Sequence, residues 1–340
     1  MPFDLLDGTY ERLSDTGPEY GGGLSNHGPM AAEALLRLGR PEAIETWVTG
    51  YITGLEDAPH ARSPITDSTW REALGALDRV ADWETYLDRQ FRDSPWPDVL
   101  ARWWERLLPG ISAGATHGVI RTAHAVRALD DGETPERVAE LARGLAYWAA
   151  RYAVLPGRAL TVGTASLGQA LAAVPFLVGG PSGLITTRLA ALDGVEGFPE
   201  SVARLEPPDD VPAAMDALTA VFARAYLERG HQFPIPYIHG VTAPAAVRMV
   251  LPHLPSAQWR PSFDGIWQVA AAIQSAYGDG PVRPISVGGA TTDRDALIDR
   301  AVGTNDEHAI KFTEACLRQY DQLLDPIFLL AAEDVGERLG

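Results

Sequence analysis

The sequence of 340 residues has one cysteine, one lysine and no long uninterrupted apolar run. A lone cysteine, Cys316, excludes an internal disulfide, and its apolar surroundings predict a buried small hydrophobe. A membrane-spanning helix needs about 18 or more apolar residues, so we expect none. The first residues lack the basic segment followed by an apolar one that marks a signal peptide. We therefore expect a cytoplasmic protein.

Basic residues are also scarce, since 28 Lys and Arg stand against 45 Asp and Glu, for a net charge of −17. This balance disfavours nucleic acid as a partner, because such binding needs basic patches, and it disfavours an anionic membrane surface. The chain has no glycine-rich nucleotide fingerprint, phosphate loop or H-E-x-x-H motif. It also lacks the G-x-S-x-G nucleophile motif. A dedicated nucleotide site and a serine-hydrolase site are therefore not indicated.

Apolar residues recur at spacings of three and four, which is typical of amphipathic helices. Strand signals are weak, because the two candidates, Val154–Val162 and Val282–Val287, each contain a proline. We interpret the proline-rich stretch Glu206–Pro212 as a helix connection rather than a hinge. The sequence predicts an all-α, multi-helix single domain over residues 1–340. Its predicted helices lie near residues 29–39, 42–53, 68–76, 82–93, 97–110, 114–129, 135–153, 163–173, 182–192, 211–229, 241–253, 261–277, 291–303, 305–323 and 325–338.

The single lysine, Lys311, lies three residues after His308 in a predicted helix that either Asn305 or Asp306 can cap. Residues three apart share a helix face, so both side chains project to the same side. Burial beside a metal would lower the lysine pKa, and the neutral amine could add carbon dioxide to form a carbamate, an anionic oxygen ligand. The spacing alone favours the alternative, a solvated face with ordinary salt links to Glu307 and Glu314.

Other histidines occupy the starts of predicted helices. His117 begins an apolar helix and His124 follows seven residues later, which separates them by about 10 Å along the axis. At most one of them can bind a given ion, and the other would line the cavity. Arg121, one turn after His117, could orient an anion or a substrate oxygen. His27 and His239 lie near loop-to-helix junctions, where a histidine either faces a cavity or points into solvent.

Four short motifs occur in order along the chain, and together they resemble the questin-oxidase-like family over about residues 15–335. The motifs are Asn26-His27-x-Pro29-Met30, Gly114-Ala115-x-His117-Gly118-x-Ile120-Arg121, His239-Gly240-Val241-Thr242 and Asp306-x-His308-x-x-Lys311.

The resemblance implies a helical fold with a buried polar metal centre between helices. It also implies oxidative ring opening of anthraquinone-like aromatic polyketides. One branch of the family is described as a Baeyer–Villiger-type oxygenase that uses NADPH. Another is described as a mononuclear non-haem iron dioxygenase whose iron is held by four histidines and a carboxylated lysine. Carried over motif by motif, the Fe(II) ligands here are His27, His117, His239, His308 and Lys311 as its carbamate.

The predicted function is therefore a non-haem iron oxygenase of polyketide biosynthesis, whose partners are an aromatic polyketide and dioxygen. It would cleave a C–C bond or open a ring by Baeyer–Villiger-type insertion. Asn26 and Asp306 could orient the histidine ligands, and Tyr237 could form a wall of the substrate pocket. Two alternatives stay open. One is a metal-free, NADPH-dependent oxidase of the same fold, and the other is a non-enzymatic protein that binds aromatic ligands.

Overall fold

The structure, a computed structural model, describes residues 2–285 and 291–340. Within them the chain forms sixteen α-helices and one antiparallel hairpin of two-residue strands, which confirms the all-α prediction. Contacts divide the chain into two compact units, Met1–Ala153 with Pro252–Leu254, and Val154–Leu251 with Pro255–Gly340. A single domain over residues 1–340 stays a prediction. The segment Glu206–Pro212 joins two helices inside the second unit.

The first unit contains seven α-helices and the hairpin. They are α1 (Pro2–Leu13), β1 (Glu19–Tyr20), β2 (Leu24–Ser25), α2 (Gly28–Arg37), α3 (Pro41–Ile52), α4 (Val80–Asp93), α5 (Trp96–Leu107), α6 (His117–Asp130) and α7 (Pro135–Ala150). Short 3-10 turns at Trp70–Ala73, Leu77–Arg79 and Leu108–Gly110 join them.

The second unit contains the other nine described α-helices. They are α8 (Leu167–Ala172), α9 (Ile185–Ala190), α10 (Phe198–Val202), α11 (Val211–Arg229), α12 (Pro234–Val250), α13 (Trp259–Tyr277), α14 (Arg294–Gly303), α15 (Glu307–Leu323) and α16 (Ile327–Arg338). This unit also contains the 3-10 turns Ala191–Gly194 and Ser256–Gln258. A third turn, Leu251–His253, has one residue in this unit and two in the first.

Close packing of α6 against α7 organises the first unit. A Cβ added at Gly118 of α6 would lie 2.7 Å from the Cα and Cβ of Trp148, so only glycine fits there. A Cβ at Gly144 of α7 would lie 3.0 Å from the backbone nitrogen of Thr122. Glycine thus lets the two backbones approach closely, and this contact places the turn before α6 beside the side chains of α7.

In the second unit α13 is buried around its whole circumference from Ser262 to Tyr277. A helix that is buried on all sides lies at the centre of a core. The indole nitrogen of Trp267 donates to the carbonyl of Val202 at 2.9 Å, which satisfies its one polar atom. The Asp210 side chain accepts from the Ala213 N–H at 3.0 Å, and this cap confirms one of the predicted helix starts.

The structure corrects several predicted elements. The predicted strand at Val154–Val162 is wrong, because these residues form no regular element. The second predicted strand, Val282–Val287, has no regular structure through residue 285, and residues 286–287 lie outside the described part. A hairpin occurs instead around Gly21–Gly23, where all three φ angles are positive. Glycine tolerates that conformation without the steric cost that a side chain would bring.

Helix α12 begins at Pro234, seven residues before its predicted start, so His239 lies inside the helix rather than before it. Proline at the first helical position is compatible with a helix, because its missing N–H would have no partner there. Pro244 lies within the same helix and leaves one helical hydrogen bond unmade. Two further helices, α1 and α10, had no predicted counterpart, and the predicted helix at 68–76 is a single 3-10 turn at Trp70–Ala73.

Candidate metal centre

Two histidines of the first unit face each other in its interior. His27 occupies the cap position of α2 and His117 is the first residue of α6. Both are at least nine-tenths buried. Their Nε2 atoms lie 2.5 Å apart, and the rings stack with centroids 4.5 Å apart. Two motifs that stand ninety residues apart in the sequence therefore meet at one point.

The tautomer of His117 is fixed by its other ring nitrogen. His117 Nδ1 donates a short hydrogen bond to the carbonyl oxygen of Gly114. The lone pair of the neutral ring then lies on Nε2, the atom that faces His27. Histidine ligands of metals are commonly oriented by such a bond to a backbone carbonyl. Two nitrogens 2.1 Å from one metal at right angles would stand about 3 Å apart, so a small opening of the pair would accommodate an ion.

The turn before His117 has an unfavourable backbone conformation. Gly114, Ala115 and Thr116 all have positive φ, at 54°, 56° and 74°. Residues with a side chain seldom adopt this region, and a β-branched threonine does so least readily. Asn305, just before the helix that carries His308, has φ 58° as well. Such conformations cost roughly 1–3 kcal/mol each and cluster at functional sites.

The segment carrying His27 is held by a separate set of hydrogen bonds. The Asn26 carboxamide donates to Thr16 Oγ1 at 3.0 Å and to the Gly17 carbonyl at 2.9 Å, and accepts from the Gly28 N–H at 2.9 Å. The His27 N–H donates to the Tyr51 hydroxyl at 2.8 Å. Asn26 therefore fixes the backbone on either side of His27, which agrees with an orienting role.

In the second unit His308 lies beside two carboxylates at the start of α15. Its Nδ1 lies 3.4 Å from Asp306 Oδ1 and 3.8 Å from Glu307 Oε1. Asp306 also caps the helix by accepting from the His308 and Ala309 N–H groups. Burial alone would raise the pKa of Asp306, but the hydrogen bonds from His308 and the helix start hold that pKa below its usual value.

Lys311 is 4% exposed, so the solvated face that the spacing favours is wrong. Glu314, its expected salt-link partner, is also buried and lies 3.1 Å from Arg318. Burial lowers the pKa of Lys311 to about 8, although Glu307 and Asp306 act in the opposite direction. Burial therefore raises the fraction of Lys311 that is present as the neutral amine, which is the form that adds carbon dioxide.

His239, 2% exposed in α12, has its ring centroid 6.2 Å from that of His308. In the first unit the facing nitrogens of His27 and His117 offer two donors. In the second unit Asp306, Glu307 and His308 offer one ligand atom each within 4.8 Å of one another, and this group could hold a metal ion. Imidazole nitrogens suit iron, copper, nickel and zinc, so the donor set fits a transition metal without choosing one.

The remaining predicted site residues, Arg121, His124 and Tyr237, make hydrogen bonds or ion pairs within the protein. Arg121 pairs with Glu140 through two hydrogen bonds of 2.6 and 2.9 Å. His124 Nδ1 lies 2.8 Å from Glu33 Oε2. The Tyr237 hydroxyl donates to the Tyr277 carbonyl at 3.0 Å. Their proposed roles toward a substrate stay predictions.

Sequence reasoning missed two buried carboxylates of the first unit, Glu33 and Glu140, which pair with the side chains of His124 and Arg121 respectively. Glu33 is fully buried in α2 and is held by His124, Arg127 and Arg37. Glu140 is 1% exposed in α7. The available signal was a glutamate inside an apolar stretch, as in Ala31-Ala32-Glu33-Ala34-Leu35, because such a residue is rarely buried unless it is paired.

No protein-family model matches the chain, and no curated protein matches its sequence. The resemblance to the questin-oxidase-like family therefore stays a prediction. Among the described residues, no helix combines the length and the apolar character that crossing a membrane requires.

Proposed function

We propose that this chain is a non-haem iron oxygenase that opens a ring of a polycyclic aromatic ketone of the anthraquinone type. The observation that carries the proposal is the buried His27–His117 pair, in which a backbone carbonyl fixes one tautomer so that its ligating nitrogen faces the other ring. Two buried imidazole nitrogens that converge on one point are a donor arrangement that suits a transition-metal ion.

The proposed ligand set is His27, His117, His239, His308 and the carbamate of Lys311. The neutral Lys311 amine would add to carbon dioxide, forming an N–C bond and releasing one proton, to leave an anionic oxygen donor. That anion would balance part of the charge of a divalent ion. Without it the proposed donors are imidazoles, of which only that of His308 lies beside the carboxylates of Asp306 and Glu307 in the contacts described above.

His27, His117 and His308 each lie at or next to the N-terminus of an α-helix. A metal would bind their imidazoles in the neutral form. Bound iron would supply one-electron redox chemistry with dioxygen. The chain would supply a buried, dry position for the reacting groups.

The test is metal analysis and oxygen uptake on protein purified without a histidine tag and reconstituted anaerobically with Fe(II). We expect close to one iron per chain, and oxygen uptake with a hydroxylated anthraquinone such as emodin as probe. A chelator should abolish this uptake and added Fe(II), but not Zn(II), should restore it.

Three outcomes would overturn the proposal. Full activity with NADPH after chelation would identify the metal-free oxidase. Probe binding without oxygen uptake in iron-loaded protein would identify a binding protein. Tight binding of zinc with no binding of iron would exclude the redox role.

A further inference from the structure

A buried tyrosine of α7 connects the two segments that carry His27 and His117. The Tyr147 hydroxyl donates to Glu19 Oε1 at 2.7 Å and accepts from the Ser25 hydroxyl at 2.7 Å. Ser25 ends the hairpin two residues before His27. Tyr147 is 2% exposed and Ser25 is 6% exposed, so water does not compete for these bonds. The tyrosine thus holds the segment that leads into His27.

The same hydroxyl touches the turn that orients His117. A Cβ added at Gly114 would lie 2.8 Å from the Tyr147 hydroxyl oxygen and 3.1 Å from two of its ring carbons. Gly114 supplies the carbonyl that accepts from His117 Nδ1. Tyr147 therefore packs directly against the residue that fixes the tautomer and direction of His117.

The tyrosine is itself held in place. Helices α6 and α7 pack closely where Gly118 meets Trp148. This packing holds Tyr147, the residue before Trp148, against the turn at Gly114. Arg151 donates to Glu19 Oε1 at 2.6 Å, which balances the carboxylate that accepts from the phenol. Burial and the nearby Glu19 raise the pKa of Tyr147, so the phenol stays protonated and remains a donor.

We propose that Tyr147 is a positioning residue that sets the separation and orientation of the His27 and His117 imidazoles, and so controls metal affinity. The hydrogen bonds of the Tyr147 hydroxyl described above are made to Ser25 and Glu19, not to either imidazole. Tyr147 therefore acts on His27 through Ser25 and on His117 through Gly114. The inference rests on the proposed metal centre. Residues that orient metal ligands typically change affinity about 10–100-fold when they are mutated.

The test is an anaerobic Co(II) titration of Tyr147→Phe, followed by the visible absorption of the bound ion. We expect affinity to fall by about 10-fold or more, with a shifted absorption spectrum that reports altered ligand geometry. Tyr152→Phe is the matched control, because its hydroxyl makes no hydrogen bond among the described residues, and its affinity should equal that of the wild type. Ser25→Ala should show a smaller loss in the same direction.

A second readout uses metal-free protein and separates this inference from the proposed function. In the imidazole ¹⁵N spectrum, wild-type His117 should show one tautomer protonated at Nδ1, and Tyr147→Phe should shift that signal toward a mixture. Wild-type protein that binds neither Co(II) nor Fe(II) would defeat the proposed function, whereas the ¹⁵N result would still test the positioning role. Folded Tyr147→Phe with unchanged Co(II) affinity and an unchanged ¹⁵N spectrum would overturn the inference. If Tyr147→Phe does not fold, the same criteria applied to Ser25→Ala decide it.

Discussion

The Nε2 atom of His27 lies 2.5 Å from the Nε2 atom of His117, although ninety residues separate the two histidines. Each stands at the start of a helix, and each is held from behind, His27 through the backbone around Asn26 and His117 through Gly114. The contact exists because both helix starts are fixed by hydrogen bonds that do not involve the facing nitrogens. The two Nε2 atoms could therefore bind one ion between them in place of their contact with each other.

Replacing His117 by alanine should remove the metal. We expect iron content to fall from near one per chain to below about a tenth, because a lost ligand in a small donor set removes a large share of the affinity. His60→Ala is the control, since His60 is exposed and should keep wild-type iron content. Elemental analysis of tag-free protein measures both. Near-normal iron in folded His117→Ala would remove this residue from the ligand set.

Replacing Lys311 by alanine should also release the metal, and a short carboxylic acid such as formate should restore part of the binding by supplying the missing anionic oxygen. Because Lys311 is the only lysine, protein loaded with metal in ¹³C-bicarbonate should give a single lysine-carbamate carbonyl resonance in the wild type. Lys311→Arg, which retains a positive charge but cannot form the carbamate at neutral pH, should give none. Retention of both iron and activity in Lys311→Ala would show the lysine assignment to be wrong.

The prediction for Glu33 concerns stability. Glu33 is fully buried and accepts from His124, Arg127 and Arg37, so Glu33→Gln leaves buried cations without their counter-charge. We expect a loss of about 3–5 kcal/mol in the free energy of unfolding. The control is Glu45→Gln, which breaks the exposed pair with Arg12 and should cost less than about 1 kcal/mol. Urea denaturation measures both, and equal losses would contradict the argument.

Glu33 should also affect how the free energy of unfolding depends on pH in the acidic range. Burial alone would raise the pKa of Glu33, but Arg127 and His124 outweigh it and hold the folded-state pKa well below the usual 4.5. A carboxyl with a lowered pKa binds fewer protons in the folded state than in the unfolded state. Its stabilisation is therefore present above about pH 4.5 and is lost as the pH falls further. Unfolding free energies measured from pH 7 to pH 3 should fall less steeply in Glu33→Gln than in the wild type.

Two glycine-to-alanine substitutions should change the free energy of unfolding in opposite directions. At Gly118 the new Cβ would lie 2.7 Å from the Trp148 backbone, so we expect a loss of about 1–3 kcal/mol from overpacking. At Gly50, inside α3, the new Cβ would meet nothing within 4 Å. Alanine there should stabilise the helix by up to about 1 kcal/mol. Thermal unfolding of the two variants checks both signs, and a stabilised Gly118→Ala would contradict the α6–α7 packing.

The positions of the long helices could be predicted because the apolar periodicity of the sequence matches the buried face of each helix. The hairpin at Glu19–Ser25 could not, since two-residue strands leave no alternating pattern. The sequence places the start of α12 too late, because the first turn of this helix contains Pro234 and Pro236 and a further proline, Pro244, lies inside it. A proline in the sequence can belong either to the first turn of a helix or to its interior, and the residue type alone does not tell which.

The candidate ligands could be found from residue type and motif order, but their surroundings could not. The spacing of His308 and Lys311 fixes a shared helix face, yet it does not tell whether that face is buried. Glu33, Glu140 and Tyr147 act through partners in other elements of the fold, for example Tyr147 with Ser25 of β2. Such contacts depend on how the helices pack, and a single sequence contains no direct record of that packing.

The burial of Lys311 has a consequence for the outer surface of the protein. Every other basic side chain is an arginine or a histidine, so the described surface offers almost no lysine amine to solvent. Reagents and enzymes that acylate or conjugate lysine would therefore find little accessible lysine to modify. Slow labelling by an acylating reagent would then report how often the interior around Lys311 opens.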